Sequence, residues 1–120
     1  MTARILLVED EMLIALSIGD ALSRAGFEVD CAHLGRTVIE ERKLVRWDAA
    51  LVDMCLPDQN GAAVVRHLRH QQPSLPVILT TGLETPETRR FAAEHALPIL
   101  PKPFDDVTLI DLLQSMLVKL

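Results

Sequence analysis

The sequence predicts one α/β domain in which a five-stranded parallel sheet is covered on both faces by five helices. Short apolar runs alternate with longer mixed segments along the chain. Most of these runs are continuously apolar, which is typical of strands that are buried on both faces. Glycine and proline residues separate the segments, as they do at helix ends and turns. Strands that alternate with helices in this way favour a parallel sheet with helical crossovers.

The predicted strands are short and rich in Ile, Leu, Val and Ala. They are Ile5–Val8, Phe27–Ala32, Ala49–Met54, Val77–Thr80 and Ile99–Leu100. The predicted helices lie between and after them, at Met12–Ala25, Thr37–Val45, Ala62–His70, Pro86–Glu94 and from the cap Asp105 to Leu120. Gly26 suits the position after a helix end, Pro86 a first turn, and Asp105 an N-cap.

Composition narrows the class of protein. The 120 residues correspond to one domain, which we place at residues 1–120, and 49% hydrophobic content provides a core that is mostly aliphatic because only 3% is aromatic. The net charge of -5 argues against a nucleic-acid partner. We interpret the densest basic group as a solvated helix face. It contains Arg66, His67, Arg69 and His70.

The chain gives no sign of secretion or of a membrane partner. The N-terminal apolar stretch is too short for a signal peptide and runs into three acidic residues. Cys31 and Cys55 match no metal-ligand spacing and are better suited to a reducing compartment. We therefore expect a soluble, cytoplasmic protein.

Polar residues stand where four of the predicted strands end. Glu9-Asp10 follows the first strand, Asp53 ends the third, Thr81 the fourth and Lys102 the fifth. The carboxyl ends of parallel strands share one edge of the sheet, where α/β proteins bind ligands. Each residue alone has a plainer explanation, such as a helix start or a turn. Their joint placement predicts a functional site.

The chemistry of this set is that of phosphoryl transfer. Neighbouring carboxylates repel one another, and a divalent cation with a preference for oxygen, Mg²⁺ or Mn²⁺, relieves that repulsion. A carboxylate can attack phosphorus. A cation and a lysine then neutralise the charge that spreads over the phosphoryl oxygens.

Together these motifs resemble the bacterial response-regulator receiver family, in particular its single-domain, chemotaxis-regulator-like members. The resemblance extends over the whole chain. It rests on Glu9-Asp10, on Asp53 with Pro57 and Gly61, on Pro76-Val77-Ile78 before Thr81-Gly82, and on Lys102-Pro103-Phe104. It implies a flavodoxin-like receiver fold with strand order 2-1-3-4-5.

The resemblance also implies roles for the site residues. Asp53 would take a phosphoryl group from a phosphohistidine. Asp10, Asp53 and the backbone carbonyl of Cys55 would bind Mg²⁺ directly, and Glu9 would act mainly through a water molecule. Lys102 would pair with Asp53 or with the phosphoryl group. Thr81, rather than its neighbour Thr80, would move toward the phosphoryl oxygen.

A domain of this kind is primarily a switch, although it catalyses its own phosphotransfer and autodephosphorylation. The implied partners are a histidine kinase or histidine phosphotransfer protein and a downstream protein target. The implied state is a monomer or a weak, phosphorylation-dependent dimer. We expect the donor to dock on the first helix, where Leu13 and Leu16 lie off the predicted core face. That face is made of Ile14, Ile18, Ala21 or Leu22, and Ala25.

Two positions depart from the family pattern. Ile99 stands where the fifth strand often carries Tyr or Phe, so an aromatic switch is not expected. His95 stands where the fourth helix usually ends in Gly, and we expect a positive φ there.

Three other classes share part of this pattern. A flavodoxin-like cofactor binder needs a glycine- and hydroxyl-rich phosphate loop after the first strand, where this chain has acids. A haloacid-dehalogenase-type phosphatase needs a second Asp where Cys55 stands. A phosphate-inert pseudo-receiver, acting as an interaction module, remains the alternative, although such proteins have normally lost Asp10, Asp53 or Lys102.

Overall fold

A computed structural model describes residues 2–41, 45–58 and 60–117. Within these residues the chain forms a parallel sheet of five strands in the order β2-β1-β3-β4-β5, with five helices. The strands are Arg4–Val8 (β1), Glu28–Ala32 (β2), Ala49–Asp53 (β3), Val77–Thr81 (β4) and Ile99–Pro101 (β5). The helices are Met12–Arg24 (α1), Gly35–Ile39 (α2), Gly61–Gln71 (α3), Pro86–His95 (α4) and Asp106–Leu117 (α5). The predicted fold class and strand order are confirmed.

The sheet separates two apolar layers, because successive residues of a strand point to opposite faces. Leu6, Val8, Val52 and Leu79 pack with α3 and α4 on one face. The strand residues that alternate with these along β1, β3 and β4 pack with α1 and α5 on the other face of the sheet. Among the described residues, β3 and β4 are buried along their whole length, which explains why their sequences are continuously apolar up to Asp53 and Thr80.

Most helix ends follow the predicted signals. Asp105 accepts a hydrogen bond from the Thr108 amide at 2.7 Å, and Pro86 lies in the first turn of α4. Gly26 has φ +96°, as expected after a helix end. None of the helices in the described ranges combines the length and hydropathy needed to cross a membrane.

The prediction for α2 was wrong in its bounds. The helix begins at Gly35, two residues before Thr37, and ends at Ile39 instead of Val45, although residues 42–44 lie outside the described part. The first amides of α2 donate to the carboxylate of Asp58, which lies in the loop after β3. The sequence around α2 does not reveal this distant contact. Two successive acids after Ile39 disfavour continuation, because negative charge is unfavourable at a helix C-terminus. The predicted end of α5 at Leu120 also lies outside the described residues.

The buried face of α1 is shifted from the predicted one. Ile18, Ala21 and Leu22 are buried as expected, but Ala15 joins them, whereas Ile14 is only partly buried and Ala25 is exposed. The helix ends at Arg24, so Ala25 lies outside its regular turn.

Two expectations near α4 also need correction. The positive φ falls on Ala96, at +54°, and not on His95, which is the last residue of α4. Arg69 is not part of a solvated face, since it is half-buried. Its guanidinium donates to the carbonyl oxygens of Leu75 at 3.1 Å and His95 at 2.7 Å. The burial lowers the pKa of Arg69.

Gly61 permits a close approach between the start of α3 and the end of β3. Its amide donates to the Met54 carbonyl at 3.0 Å. A Cβ at this position would lie 2.5 Å from the Asp53 carbonyl oxygen and 2.8 Å from Met54 Cα. These are backbone atoms, so the loop itself would have to move.

We predict that Gly61→Ala lowers the free energy of unfolding by about 1–3 kcal/mol, since overpacking forces backbone shifts of this cost. Gly19→Ala is the matched control, because nothing lies within 4 Å of its Cβ and it is within α1. That substitution should raise the free energy of unfolding by about 0.5–1 kcal/mol through the unfolded chain. Urea unfolding of both variants measures this. Equal effects would contradict the close approach at Gly61.

Candidate functional site

The register of the sheet brings the predicted site residues to one edge. Val8 pairs with Val52, Asp53 with Thr80, and Thr81 with Pro101. The residues at or just beyond these strand ends therefore lie side by side. They are Glu9, Asp10, Asp53, Thr81 and Lys102.

Three carboxylates form a cluster at this edge. One oxygen of each of Glu9, Asp10 and Asp53 lies within 4.8 Å of the others. Glu9 is 1% exposed and Asp53 4%, whereas Asp10 is half-exposed at the start of the loop that leads into α1. Glu9 and Asp53 are thus withdrawn from water, whereas Asp10 remains in contact with solvent.

Lys102 makes ion pairs with both buried acids. Its Nζ lies 3.1 Å from Asp53 Oδ2, as expected, and 2.7 Å from Glu9 Oε1, a contact that sequence reasoning missed. Burial acts to lower the pKa of Lys102, but the two carboxylates outweigh it, so the pKa lies above its ordinary value. The ammonium group is therefore charged at neutral pH.

Glu9 is the most deeply buried carboxylate of the cluster. Burial raises the pKa of Glu9 above its ordinary value, opposed by Lys102 and by the Glu11 amide, which donates to Oε2 at 3.2 Å. The buried Oε1 lies 2.7 Å from the Lys102 ammonium nitrogen. Three neighbouring carboxylates beside a single lysine form an oxygen-rich cluster with excess negative charge, which fits a hard divalent cation.

The Asp53 carboxylate is held at both oxygens. Lys102 contacts Oδ2, and the Cys55 amide donates to Oδ1 at 3.0 Å. Cys55 forms an isolated antiparallel bridge with Asn60, and its thiol is exposed. The assignment of its carbonyl as a metal ligand stays a prediction.

The Thr81 hydroxyl is engaged with the loop after β4. Its Oγ1 donates to the Leu83 carbonyl at 2.7 Å and accepts from the Leu83 amide at 3.1 Å. Thr80 is also buried, and its carbonyl accepts from the Met54 amide at 2.9 Å. A ligand that recruits the Thr81 hydroxyl would have to release the segment at Leu83.

Two polar contacts around the site were not predicted. His33 Nδ1 lies 3.0 Å from the Glu9 carbonyl oxygen. The Asp58 carboxylate accepts from the amides of Gly35 and Arg36 at 2.9 and 2.8 Å. Both contacts join residues more than twenty positions apart, and an Asp after Pro57 gives only a turn signal in the sequence.

The comparisons with known proteins agree with one another. Residues 5–114 match the model of the response regulator receiver domain. The chain is 35% identical over 115 residues to the probable transcriptional regulatory protein SilR of Salmonella typhimurium, covering 95% of this chain and 50% of that protein. It therefore spans about half the length of that relative.

Two crystal structures illustrate the similarity of fold. A receiver domain protein (CheY-like) from Methanospirillum hungatei JF-1 has a TM-score of 0.88 at 26% identity, over 98% of this chain and 94% of that one. The chemotaxis protein CheY4 of Vibrio cholerae has a TM-score of 0.87 at 28% identity, over 97% and 99%.

The raised pKa of Glu9 predicts a pH-dependent effect of Glu9→Gln on stability. A carboxyl whose pKa is higher in the folded protein favours folding below its unfolded pKa, and this contribution is lost as the pH rises through the folded pKa. In metal-free buffer, Glu9→Gln should therefore gain stability relative to wild type as the pH rises from about 4.5 to neutrality. Urea unfolding in EDTA at both pH values measures the difference. A gain that does not grow with pH would refute the assigned desolvation.

Proposed function

This chain belongs to the response regulator receiver domain family, and from that premise we propose that Asp53 accepts a phosphoryl group from a phosphohistidine in a Mg²⁺-dependent reaction. The observation that carries the proposal is the placement of the Asp53 carboxylate. It lies 3.1 Å from the Lys102 ammonium and beside the carboxylates of Glu9 and Asp10. Cationic and metal-binding groups thus flank one potential nucleophile.

In the proposed reaction, one Asp53 oxygen attacks the phosphorus atom of the donor phosphohistidine. The bond between phosphorus and the histidine nitrogen breaks as the new bond forms. The Cys55 amide and Lys102 hold the carboxylate in one orientation before the donor arrives. Preorganised positive groups of this kind cost little rearrangement during reaction. Lys102 can follow the charge from the carboxylate to the phosphoryl oxygens, because its Nζ already lies beside Asp53.

The cation, Mg²⁺ or Mn²⁺, would be held by Asp10, Asp53 and the Cys55 carbonyl, with Glu9 acting through a water molecule. When bound, it neutralises the carboxylates and the phosphoryl oxygens. The half-exposed Asp10 leaves an entry path, and the buried Glu9 keeps its contact with Lys102.

The switch would act through Thr81. Its hydroxyl now holds the Leu83 backbone through two hydrogen bonds. Moving it toward a phosphoryl group on Asp53 gives up those bonds, so the loop before α4 changes its position. Phosphorylation would then shift an existing equilibrium of that loop and of the α4-β5-α5 face.

The phosphodonor would dock on α1 beside the acidic cluster. Met12, Leu13 and Leu16 are 58%, 82% and 65% exposed, although folding gives no reason to place large apolar side chains there. A groove between α1 and the start of α5 continues this surface and is lined by Ile18 and Phe104, among others. A helical histidine kinase or phosphotransfer domain offers the apolar side chains that such a surface binds.

We extend the proposal to the whole chain as one cytoplasmic receiver domain, residues 1–120. It acts mainly as a switch, catalysing its own phosphotransfer and autodephosphorylation. Its output is a contact with a downstream protein, without direct binding of nucleic acid or membrane. It is a monomer or a weak dimer that forms on phosphorylation.

Incubation with acetyl phosphate and Mg²⁺ should add one phosphate, measured by intact mass. EDTA should prevent the addition because the carboxylates then repel the incoming group. Asp53→Asn is the control and should take no phosphate, while Asp48→Asn, an exposed acid before β3, should behave as wild type. Labelling of Asp53→Asn to the wild-type extent would refute the assignment. No labelling of a folded wild-type protein by any phosphodonor would favour an interaction module.

Leu13→Asp or Leu16→Asp should slow transfer from the cognate phosphodonor by about tenfold or more, the effect of losing an interface anchor. Labelling by acetyl phosphate should stay near the wild-type rate, because neither residue is part of the carboxylate cluster. Ser74→Asp, at an exposed position in the loop before β4 and so at the opposite edge of the sheet, is the control. If both reactions of the Leu variants fall together, the substitution has damaged the fold or the pocket. If neither falls, the docking surface does not lie on α1.

A further inference from the structure

Residues 33–36, which form the turn before α2 and the first two positions of that helix, contact both of the loops that carry acidic residues. On one side, His33 Nδ1 lies 3.0 Å from the Glu9 carbonyl oxygen. Because a carbonyl oxygen only accepts, Nδ1 must carry the proton and donate it. On the other side, the amides of Gly35 and Arg36 donate to the Asp58 carboxylate. One short segment therefore joins the loop after β1 to the loop after β3.

Asp58 provides the N-terminal cap that α2 lacks locally. The N-cap residue is Leu34, which makes no side-chain cap hydrogen bond. The first amides of a helix have no partner within it, and a carboxylate satisfies them through charge-assisted hydrogen bonds. Desolvation raises the pKa of Asp58, but the hydrogen bonds from the Arg36 and Gly35 amides together outweigh it and leave the pKa below its ordinary value. The carboxylate therefore stays ionised and bonded at neutral pH.

Asp58 lies at the tip of the loop between β3 and α3. The stem of this loop is closed by the bridge between Cys55 and Asn60 and by the hydrogen bond from the Gly61 amide to Met54. The contacts of the tip with α2 give the loop a second attachment. The same loop carries Cys55, whose amide contacts Asp53.

We propose that Asp58 and His33 are positioning residues for the metal pocket. Acting through residues 33–36, they keep the Glu9-Asp10 segment and the Cys55 peptide at a fixed separation. Neither side chain belongs to the carboxylate cluster, so each acts through the backbone of another residue. This inference rests on the proposed function, because it assigns a role in metal binding at the same site.

Mg²⁺ titration of Asp58→Ala, Asp58→Asn, His33→Ala and Asp48→Ala tests the inference. Asp48 is the matched control, since its carboxylate accepts the Arg4 amide at 2.7 Å just before β3 begins, at the other end of that strand. Asp58→Ala and His33→Ala should each weaken Mg²⁺ binding by about tenfold, as is typical when a residue that orients a ligand is lost. Asp58→Asn should lose less, because its amide oxygen still accepts one N–H. Asp48→Ala should leave the Mg²⁺ affinity unchanged.

Amide hydrogen exchange in metal-free protein gives a second readout that needs neither Mg²⁺ nor phosphate. Exchange at Cys55 and Gly61 should be faster in Asp58→Ala than in wild type, and unchanged in Asp48→Ala. If wild type binds no Mg²⁺, the proposed function fails, and these rates still decide whether Asp58 positions the loop. If Asp58→Ala does not fold, the Mg²⁺ titration and the hydrogen exchange are both measured on Asp58→Asn instead. Lower melting temperatures for Asp58 and Asp48 variants alike, with Mg²⁺ affinity and Cys55 exchange unchanged, would overturn the inference.

Discussion

The Lys102 ammonium group lies between two carboxylates that the fold has withdrawn from water. Glu9 and Asp53 would repel each other without it, and the half-exposed Asp10 adds a third negative charge nearby. One lysine cannot balance three carboxylates, and burial leaves the pKa of Glu9 raised. The metal-free site is therefore electrostatically unfavourable, and the proposed divalent cation would relieve the same repulsion that folding creates. Repulsion among the residues of the proposed site therefore lowers the stability of the folded protein.

The parallel sheet makes this arrangement possible. The four strands β1, β3, β4 and β5 end at one edge, so residues far apart in sequence meet without long side chains or long loops. Small backbone features then adjust the edge. Gly61 lets α3 approach the end of β3, and residues 33–36 contact the loops that follow β1 and β3. The Thr81 hydroxyl connects the same edge to the segment before α4.

Sequence reasoning predicts what depends on local pattern and fails where distant residues interact. Buried strands such as Ala49–Asp53 are continuously apolar, so their place and the polar residues after them could be read directly. The start of α2 could not, because Asp58 caps it from a loop more than twenty residues away. The pairing of Lys102 with Asp53 was predicted, but its contact with Glu9 depends on side-chain geometry at the sheet edge. The sequence predicts a solvated Arg69 because its acceptors, the backbone carbonyls of Leu75 and His95, cannot be identified from sequence.

The measurement that tests the central claim most directly is the thermal stability of the protein as a function of Mg²⁺ concentration. If a cation completes the charge balance of Glu9, Asp10 and Asp53, the melting temperature should rise steadily with the logarithm of the Mg²⁺ concentration. The free energy of unfolding should rise by about 2.7 kcal/mol when the Mg²⁺ concentration is a hundred times its dissociation constant. Sodium chloride of equal ionic strength controls for screening and should not reproduce the rise. A melting temperature that millimolar Mg²⁺ leaves unchanged would contradict the account.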